Sequence, residues 1–546
     1  MGTVEVLLSA FLISFFALII FIWSMRKGLF EGDTGGGSTI FAANEVGRIE
    51  DPSAPAGERK ALQAAVDDSA PLASSEASVR DLQLRAEADR SSAGVVFVYF
   101  ACAIGWLVLA SSAGVVASIK LHEPDWLTAY SWLTFGRVRT IHLNAIAYGW
   151  TPMAGLGLAL WLLPRLLQTP LKGSRIALLG AVLWNAGLIA GIGAIAAGIN
   201  DGMEWLEIPW QVDILFVIGG ALVGIPLILT LLNRKVDHLY VSIWYMGAAL
   251  FWFPVLFFVA NFPGLHFGVE AATMNWWYGH NVLGLFFGPL GLATIYYFLP
   301  KVIGRPVQSY NLSLIGFWSL AFFYGQVGGH HLIGGPVPGW MITLSIVQSM
   351  MMLIPVIAFA VNYVGTLHGY YSALRYSPTL RFVAVAGIFY VMSSVQGSFE
   401  ALRAMNTITH FTHYTVGHAH LGVYGFVAFA FFGGMYFVVP RIMDREWPFP
   451  KLIAAHFWLA FLGIIIYFVS LSIGGLLQGF AMLDAARPFM DSVAVTIPWL
   501  KGRSLGGSMM ALSHFIFAAH FVIMAFGVGK ELEKPTYFRE VGSPAE

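Results

Sequence analysis

The hydrophobic pattern of this chain consists of long unbroken runs, not of the periodic stripes that a water-soluble helix carries. Thirteen stretches are each long enough, at about 20 apolar residues, to cross a bilayer as a helix. The first runs from Val4 to Ser24. Twelve more lie near Gly94 to Ile119, Ile141 to Leu163, Ile176 to Ile199, Val212 to Leu232, Val241 to Phe262, Trp276 to Leu299, Leu312 to Leu332, Trp340 to Leu367, Phe382 to Ala401, Tyr414 to Val439, Leu452 to Leu477 and Ser508 to Val528. Met25-Arg26-Lys27 follows the first run and no small-residue cleavage pattern does, so it reads as a retained anchor. From Glu31 to Arg90 the composition turns to Gly, Ser, Ala and mixed charge, which predicts a flexible linker with some helix over Arg59 to Arg90. The expected chain is therefore an all-α membrane protein. Residues 1–30 form an N-terminal transmembrane helix, 31–93 a cytoplasmic linker, and 94–546 a twelve-helix domain.

Charge gives this array a direction. Arg165, Lys172 and Arg175, then Arg234 and Lys235, Lys301 and Arg305, Arg375 and Arg381, and Arg441, Arg445 and Lys451 fall in loops on one side, the cytoplasmic side by the excess of basic residues. The opposite loops hold Asp201, Glu204, Glu207 and Glu270, together with Arg137, Arg139, Arg403 and Lys501. Composition agrees with a polytopic membrane protein: 57% hydrophobic and 11% charged residues, against about half and a quarter in soluble chains. Net charge is zero and the basic residues form no patch, so nucleic acid is not an expected partner. One cysteine, Cys102, excludes a disulfide framework and any thiolate-held cluster, which leaves nitrogen or oxygen to hold a metal.

The supply of nitrogen is fifteen histidines. In Thr415-Val416-Gly417-His418-Ala419-His420 two imidazoles stand two residues apart, roughly 200° around a helix. They cannot serve one ligand, but they can serve two neighbouring ones. His142, His280, His330 and His331 come out at the same outer depth, and ionisable residues inside a membrane usually mark a pathway or a ligand site. Any one of these histidines alone is readily a satisfied core residue; six at one level are not. Neutral imidazole suits copper, iron and zinc, and histidine is a usual axial ligand of haem iron. His330 and His331 lie about 100° apart on a helix, or leave a broken helix end at Gly328-Gly329, and His280 would add a third nitrogen. Tyr324 precedes His331 by seven residues, two α-helical turns, and so faces the same cavity. His122, His238, His266, His368, His456, His514 and His520 read as loop or packing residues.

Trp276-Trp277-Tyr278-Gly279-His280-Asn281, Phe317-Trp318 with Tyr324 and His330-His331, Phe135-Gly136-Arg137 leading to His142, and Val416-Gly417-His418-Ala419-His420 stand in the order and spacing of the haem-copper oxidase superfamily. The chain from about Gly94 onward resembles the catalytic subunit of cbb3-type cytochrome c oxidases. The resemblance implies a twelve-helix bundle, two b-type haems and one copper ion. It assigns His142 and His420 to a low-spin haem iron, His418 to a high-spin haem iron, and His280, His330 and His331 to copper. Tyr324 matches the tyrosine that the family joins covalently to the copper ligand at 280, and Gly284 fits that pattern. Arg137 and His410 match positions at haem propionates, and Glu207 a calcium-site carboxylate, which adds calcium to the implied cofactors. Phe21-Ile22-Trp23-Ser24 leading to Gly28-Leu29-Phe30-Glu31-Gly32-Asp33 resembles the small single-span assembly protein of the same oxidases.

The activity implied is reduction of O2 to water in a bacterial inner membrane, with electrons from cytochrome c or a similar donor through membrane-anchored c-type cytochrome subunits. Protons would come from the cytoplasm past Tyr296-Tyr297, Ser309, Tyr310 and Ser313; of these, Tyr297 and Ser313 are the proton-path candidates. One departure stands out. Where the family carries a glutamate, this chain has Gln396, which cannot relay a proton, with Glu400 four residues on. Two rivals remain: a nitric oxide reductase of the same superfamily, against which Tyr324 argues, and a non-catalytic haem-binding transporter or sensor, which has no use for His280, His330 and His331 together.

Overall fold

A backbone inside lipid must satisfy its own hydrogen bonds, and the apolar runs do so as helices. The computed structural model describes residues 35–42, 45–47, 49–55 and 76–531, with isolated positions between 8 and 26. The anchor expected over 1–30, with its assembly-protein-like motif, thus falls largely outside the described residues. Among them, extended pairing is limited to two isolated bridges, Met203 with Leu206 and Arg445 with Glu531.

The helices are Glu76–Lys120 (α1), Phe135–Leu166 (α2), Ser174–Ala197 (α3), Trp210–Leu232 (α4), Val241–Asn261 (α5), Gly268–Ile303 (α6), Tyr310–Phe323 (α7), Gly339–Leu367 (α8), Pro378–Glu400 (α9), His413–Met443 (α10), Lys451–Leu483 (α11) and Phe489–Ala525 (α12). Eleven of these, all but α7, are long and apolar enough to cross a membrane. The seventh expected span is instead 14 residues of α-helix continued by a 3₁₀ stretch, Tyr324–Leu332.

Three helices make the centre. Of their most apolar windows, 94% of α2, 89% of α6 and 83% of α10 is buried, against 33–50% for the other eight. Each carries one π turn soon after a histidine: Ala145–Trp150 after His142, Leu283–Phe287 after His280, and Leu421–Ala428 after His420. Each also ends on a proline followed by a basic residue, Pro164-Arg165, Pro300-Lys301 and Pro440-Arg441. The three run parallel, so the histidines gather at one end and the basic residues at the other.

Two boundaries differ from expectation. α12 begins at Phe489, well before Ser508, because Ser492, Thr496, Lys501, Arg503 and Ser504 interrupt the hydropathy of a helix that packs along α11. α1 begins at Glu76 and runs straight through the expected boundary at 93/94. Its polar first turns are held by the preceding segment: Arg85 donates to the carbonyls of Ile40 (2.9 Å) and Thr39 (3.1 Å). Over 36–55 the expected flexible linker is replaced, in its described residues, by packed chain. Ile40, Glu45, Asp51 and Ser53 are buried there, because the carboxylates meet cations and helix-terminal donors of the bundle.

Candidate metal centre

At the histidine end, α6 and the 3₁₀ stretch after α7 face each other closely. Gly328 makes the approach feasible: a Cβ there would lie 2.8 Å from that of His280 and against the Trp276 carbonyl. Asn281 Nδ2 then donates to the Gly325 carbonyl at 3.0 Å and ties the two elements together. The result brings one nitrogen from each of His280, His330 and His331 within 4.8 Å of one another. Ring centroids are 5.0 Å apart for His280 and His330, 5.4 Å for His280 and His331, and 4.5 Å for His330 and His331. Among the described residues this is the one cluster of three or more metal-ligating side chains.

The rings are individually positioned. His330 Nδ1 meets Ser349 Oγ at 3.0 Å, which leaves Nε2 free for a ligand, and the His331 ring stacks on Trp276 at 4.2 Å. His280 Nδ1 is buried without a hydrogen-bond partner. Such an orphan is expensive unless something else fills the role. Tyr324 sits beside His280, ring centroids 5.3 Å apart, in space that any side chain at position 284 would occupy; Gly284 leaves that space open. The seven-residue spacing to His331 does not itself place Tyr324 here, since the stretch is a 3₁₀ helix with about 3.0 residues per turn. Gly284 and the fold of the stretch place the phenol instead.

The second arrangement joins α2 to α10. His142 and His420 lie with ring centroids 6.3 Å apart and planes within 7°. Nδ1 of His142 meets the Ala110 carbonyl (2.8 Å) and Nδ1 of His420 the Val416 carbonyl (2.9 Å). Both rings are thereby held with Nε2 as the remaining ligand atom, and one metal with bonds of about 2 Å on either side fits between such nitrogens. His418, on the same helix turned away from His420, has a buried Nδ1 with no partner, and its ring lies against Gly397 on α9, where a Cβ would be 2.8 Å from Cε1. The donors are nitrogens throughout and the unsatisfied ones are buried, which suits haem iron and copper.

The remaining candidates land as follows. Glu207 is buried on the loop after α3 and accepts from Asn144 Nδ2 at 2.9 Å, two residues along the helix from His142; burial pushes its carboxyl up to about 7. Arg137 donates to the Ala196 carbonyl (3.1 Å) at the end of α3. His410 meets Asn406 Oδ1 at 2.9 Å and stacks edge-on against Phe411, with burial lowering its pKa. Tyr297 Oη accepts from Arg165 Nε (2.9 Å), and Ser313 Oγ donates to the Tyr310 carbonyl (2.5 Å). Ser309 caps α7, accepting from Leu312 N. Gln396 Oε1 is buried with no hydrogen-bond partner, whereas Glu400 accepts from Thr415, three residues before His418. The histidines set aside as packing residues do pack: His456 on Tyr436, His514 on Tyr424 and His520 on the Pro448 carbonyl.

Three positions escaped the sequence reading. Ser349 orients His330; Tyr467 Oη lies 3.2 Å from His420 Nε2, and Arg503 Nε donates to that hydroxyl at 3.0 Å. Arg503 had a signal, a charge within a membrane-length helix, but the late start assigned to α12 hid it.

Residues 94–509 match the family described as cytochrome C and quinol oxidase polypeptide I. The chain belongs to this family. It is 32% identical to the cbb3-type cytochrome c oxidase subunit CcoN1 of Stutzerimonas stutzeri over 78% of this chain and 92% of that one. It is 33% identical to cytochrome c oxidase subunit 1 of Rhodobacter capsulatus, over 78% and 83%. A solved haem-copper terminal oxidase dimer shares the fold, with a TM-score of 0.66 over 82% of this chain and 86% of that chain at 15% identity. This subunit I is an oxidoreductase of the haem-copper superfamily and a multi-pass membrane protein, and its family implies haem and copper as cofactors.

Proposed function

We propose that this subunit I reduces O2 to water at a centre of high-spin b haem and copper in a bacterial inner membrane, with electrons from cytochrome c through c-type cytochrome subunits and protons from the cytoplasm. The observation that carries the reading is the meeting of His280, His330 and His331 within 4.8 Å beside Tyr324. Copper would be held by these three nitrogens, one b haem by His142 and His420, and the second by His418. When bound, these groups supply electron transfer and the reduction of oxygen.

The chain's own residues do the rest. Ser349 and Trp276 fix the rings of His330 and His331, while the Ala110 and Val416 carbonyls fix those of His142 and His420, so little reorganisation is needed at each ligand. The Tyr324 hydroxyl lies in the same cavity, where it can give up a proton and an electron to oxygen, and the space left by Gly284 lets its ring lie beside that of His280. Tyr297 and Ser313 are proposed steps of the proton route. Glu400, through Thr415, is the carboxylate that stands in for the one absent at Gln396. Glu207 is the proposed calcium carboxylate, and Arg137 and His410 the proposed propionate partners.

One preparation tests this. Purified complex should contain one copper per two haems, bind carbon monoxide at a high-spin haem, and consume oxygen with a reduced cytochrome donor. Non-haem iron without copper would instead make it a nitric oxide reductase, and a haem-loaded preparation without carbon monoxide binding or oxygen uptake would end the enzymatic reading.

A further inference from the structure

The ends of α2, α6 and α10 opposite the histidines bring Arg165, Lys301 and Arg441 together, with side chains only 1–5% exposed. Like charges buried near one another repel and are expensive to desolvate unless compensated. Compensation comes from outside the three helices. Arg165 pairs with Asp89 of α1 at 2.6 Å, and Arg441 pairs with Glu50 and lies 3.8 Å from Asp89. Lys301 pairs with Glu45 and lies 3.7 Å from Glu50. Among the described residues, both carboxylates on Lys301 thus belong to the segment at 36–55.

That segment is seated by more than charge. Its backbone donates from Gly47 to the Gly304 carbonyl (2.7 Å) and from Glu50 to the Val302 carbonyl (3.1 Å). Phe41 lies under the Lys301 ammonium at 5.3 Å. Asp51 accepts from the Thr379 backbone N–H (3.2 Å) and hydroxyl (2.9 Å) and from Ser377, at the N-terminus of α9, where a carboxylate is favoured by the helix dipole. Burial would raise the Glu45 carboxyl, but Lys301, Arg85 and Arg165 outweigh it and hold the group at about 2.

We propose that the basic ends of α2, α6 and α10 form a socket for an acidic, turn-rich peptide, that the described residues of 36–55 in this chain occupy it, and that this docking fixes the axial positions of the three helices that carry His142, His280, His418 and His420. Glu45 and Glu50 are then positioning residues for the metal ligands at the far ends of those helices. The second half of the proposal rests on the haem and copper reading above; the first half does not.

The test uses the full chain in its membrane-bound complex, with Cys102→Ala removing the one native cysteine. A Cβ at Gly37 lies 3.6 Å from that of Pro306, inside the range a disulfide spans, so Gly37→Cys with Pro306→Cys reads docking without touching the ion cluster. Mild oxidation should crosslink the pair nearly completely. Adding Glu45→Lys should lower the yield about tenfold and lower haem and copper per chain with it, and adding Lys301→Glu should restore both. Crosslinking undiminished in Glu45→Lys overturns the socket. Crosslinking lost while haem and copper stay at wild-type levels overturns the coupling to the metal ligands. Should the reversals fail to accumulate, Glu45→Gln serves: a lower crosslink yield and haem release at a lower temperature are expected, and wild-type behaviour in both overturns the proposal. Absence of oxygen uptake in the unmodified complex would end the oxidase reading and leave the crosslink result standing.

Discussion

At one end of α2, α6 and α10 stand imidazoles, some with a buried nitrogen that meets no partner; at the other end each of Arg165, Lys301 and Arg441 meets a carboxylate. The same three helices thus carry unsatisfied imidazole nitrogens at one end and compensated charge at the other. Desolvation explains the contrast. A neutral imidazole can be buried with one nitrogen waiting for a metal, while a guanidinium or ammonium cannot be buried alone. The first end suits a group from outside the chain, and the second is closed by the chain itself.

The largest effect expected is at the open end. His280→Ala should abolish copper binding and lower oxygen uptake by about a hundredfold or more, with the haem optical spectrum largely kept; a copper content equal to wild type would remove His280 from the ligand set. At the closed end, Lys301→Ala leaves Glu45 buried without its paired cation, while Glu50 keeps Arg441, which should destabilise the fold by about 3–5 kcal/mol, measured as a lower temperature of haem release. Acid should act on the same contact. The folded pKa of Glu45 lies below its ordinary value of 4.5, so the stabilisation is present above about 4.5 and is lost as pH falls toward 2. Dipolar broadening between spin labels attached at Gly37→Cys and Pro306→Cys should be lost across that window, and broadening unchanged from pH 5 to about 2 would contradict it.

Smaller changes probe how each end is tuned. Ser349→Ala removes the hydrogen bond that orients His330 and should weaken copper retention about 10–100-fold against a chelator. Gly284→Ala puts a methyl group where the Tyr324 ring lies, an overpacking worth about 1–3 kcal/mol, and should reduce oxygen uptake while copper stays bound. Ser313→Ala should slow turnover severalfold with unchanged haem spectra; undiminished turnover would take it off the proton route.

Much of this arrangement could be read in the sequence, for uneven reasons. Long apolar runs announce membrane helices because lipid leaves the backbone no alternative, and the spacing of His418 and His420 constrains them to different ligands by helix geometry alone. The meeting of His280 with His330 and His331 followed from depth and from the motif resemblance, not from local spacing; the 3₁₀ stretch and Gly328 that produce it are tertiary facts. The docked segment was misread because Gly, Ser and mixed charge look the same in a free linker as in a peptide whose charges are matched by distant residues. Glu45 and Lys301 are 256 positions apart, and no local pattern reports such a pair. Charge placed Arg165, Lys301 and Arg441 on one side, yet gave no hint that they converge.

The three π turns have a consequence for the ancestry of the bundle. A π turn holds one residue more than the α-helical path it replaces, so each of α2, α6 and α10 reads as a helix into which a residue has been inserted near the histidine. Deleting one residue within 283–287 should regularise α6 and turn His280 by about 100° relative to the Pro300-Lys301 end, uncoupling the two ends without changing any ligand. Insertion in the middle of a helix is thus a way to aim one end of it independently of the other.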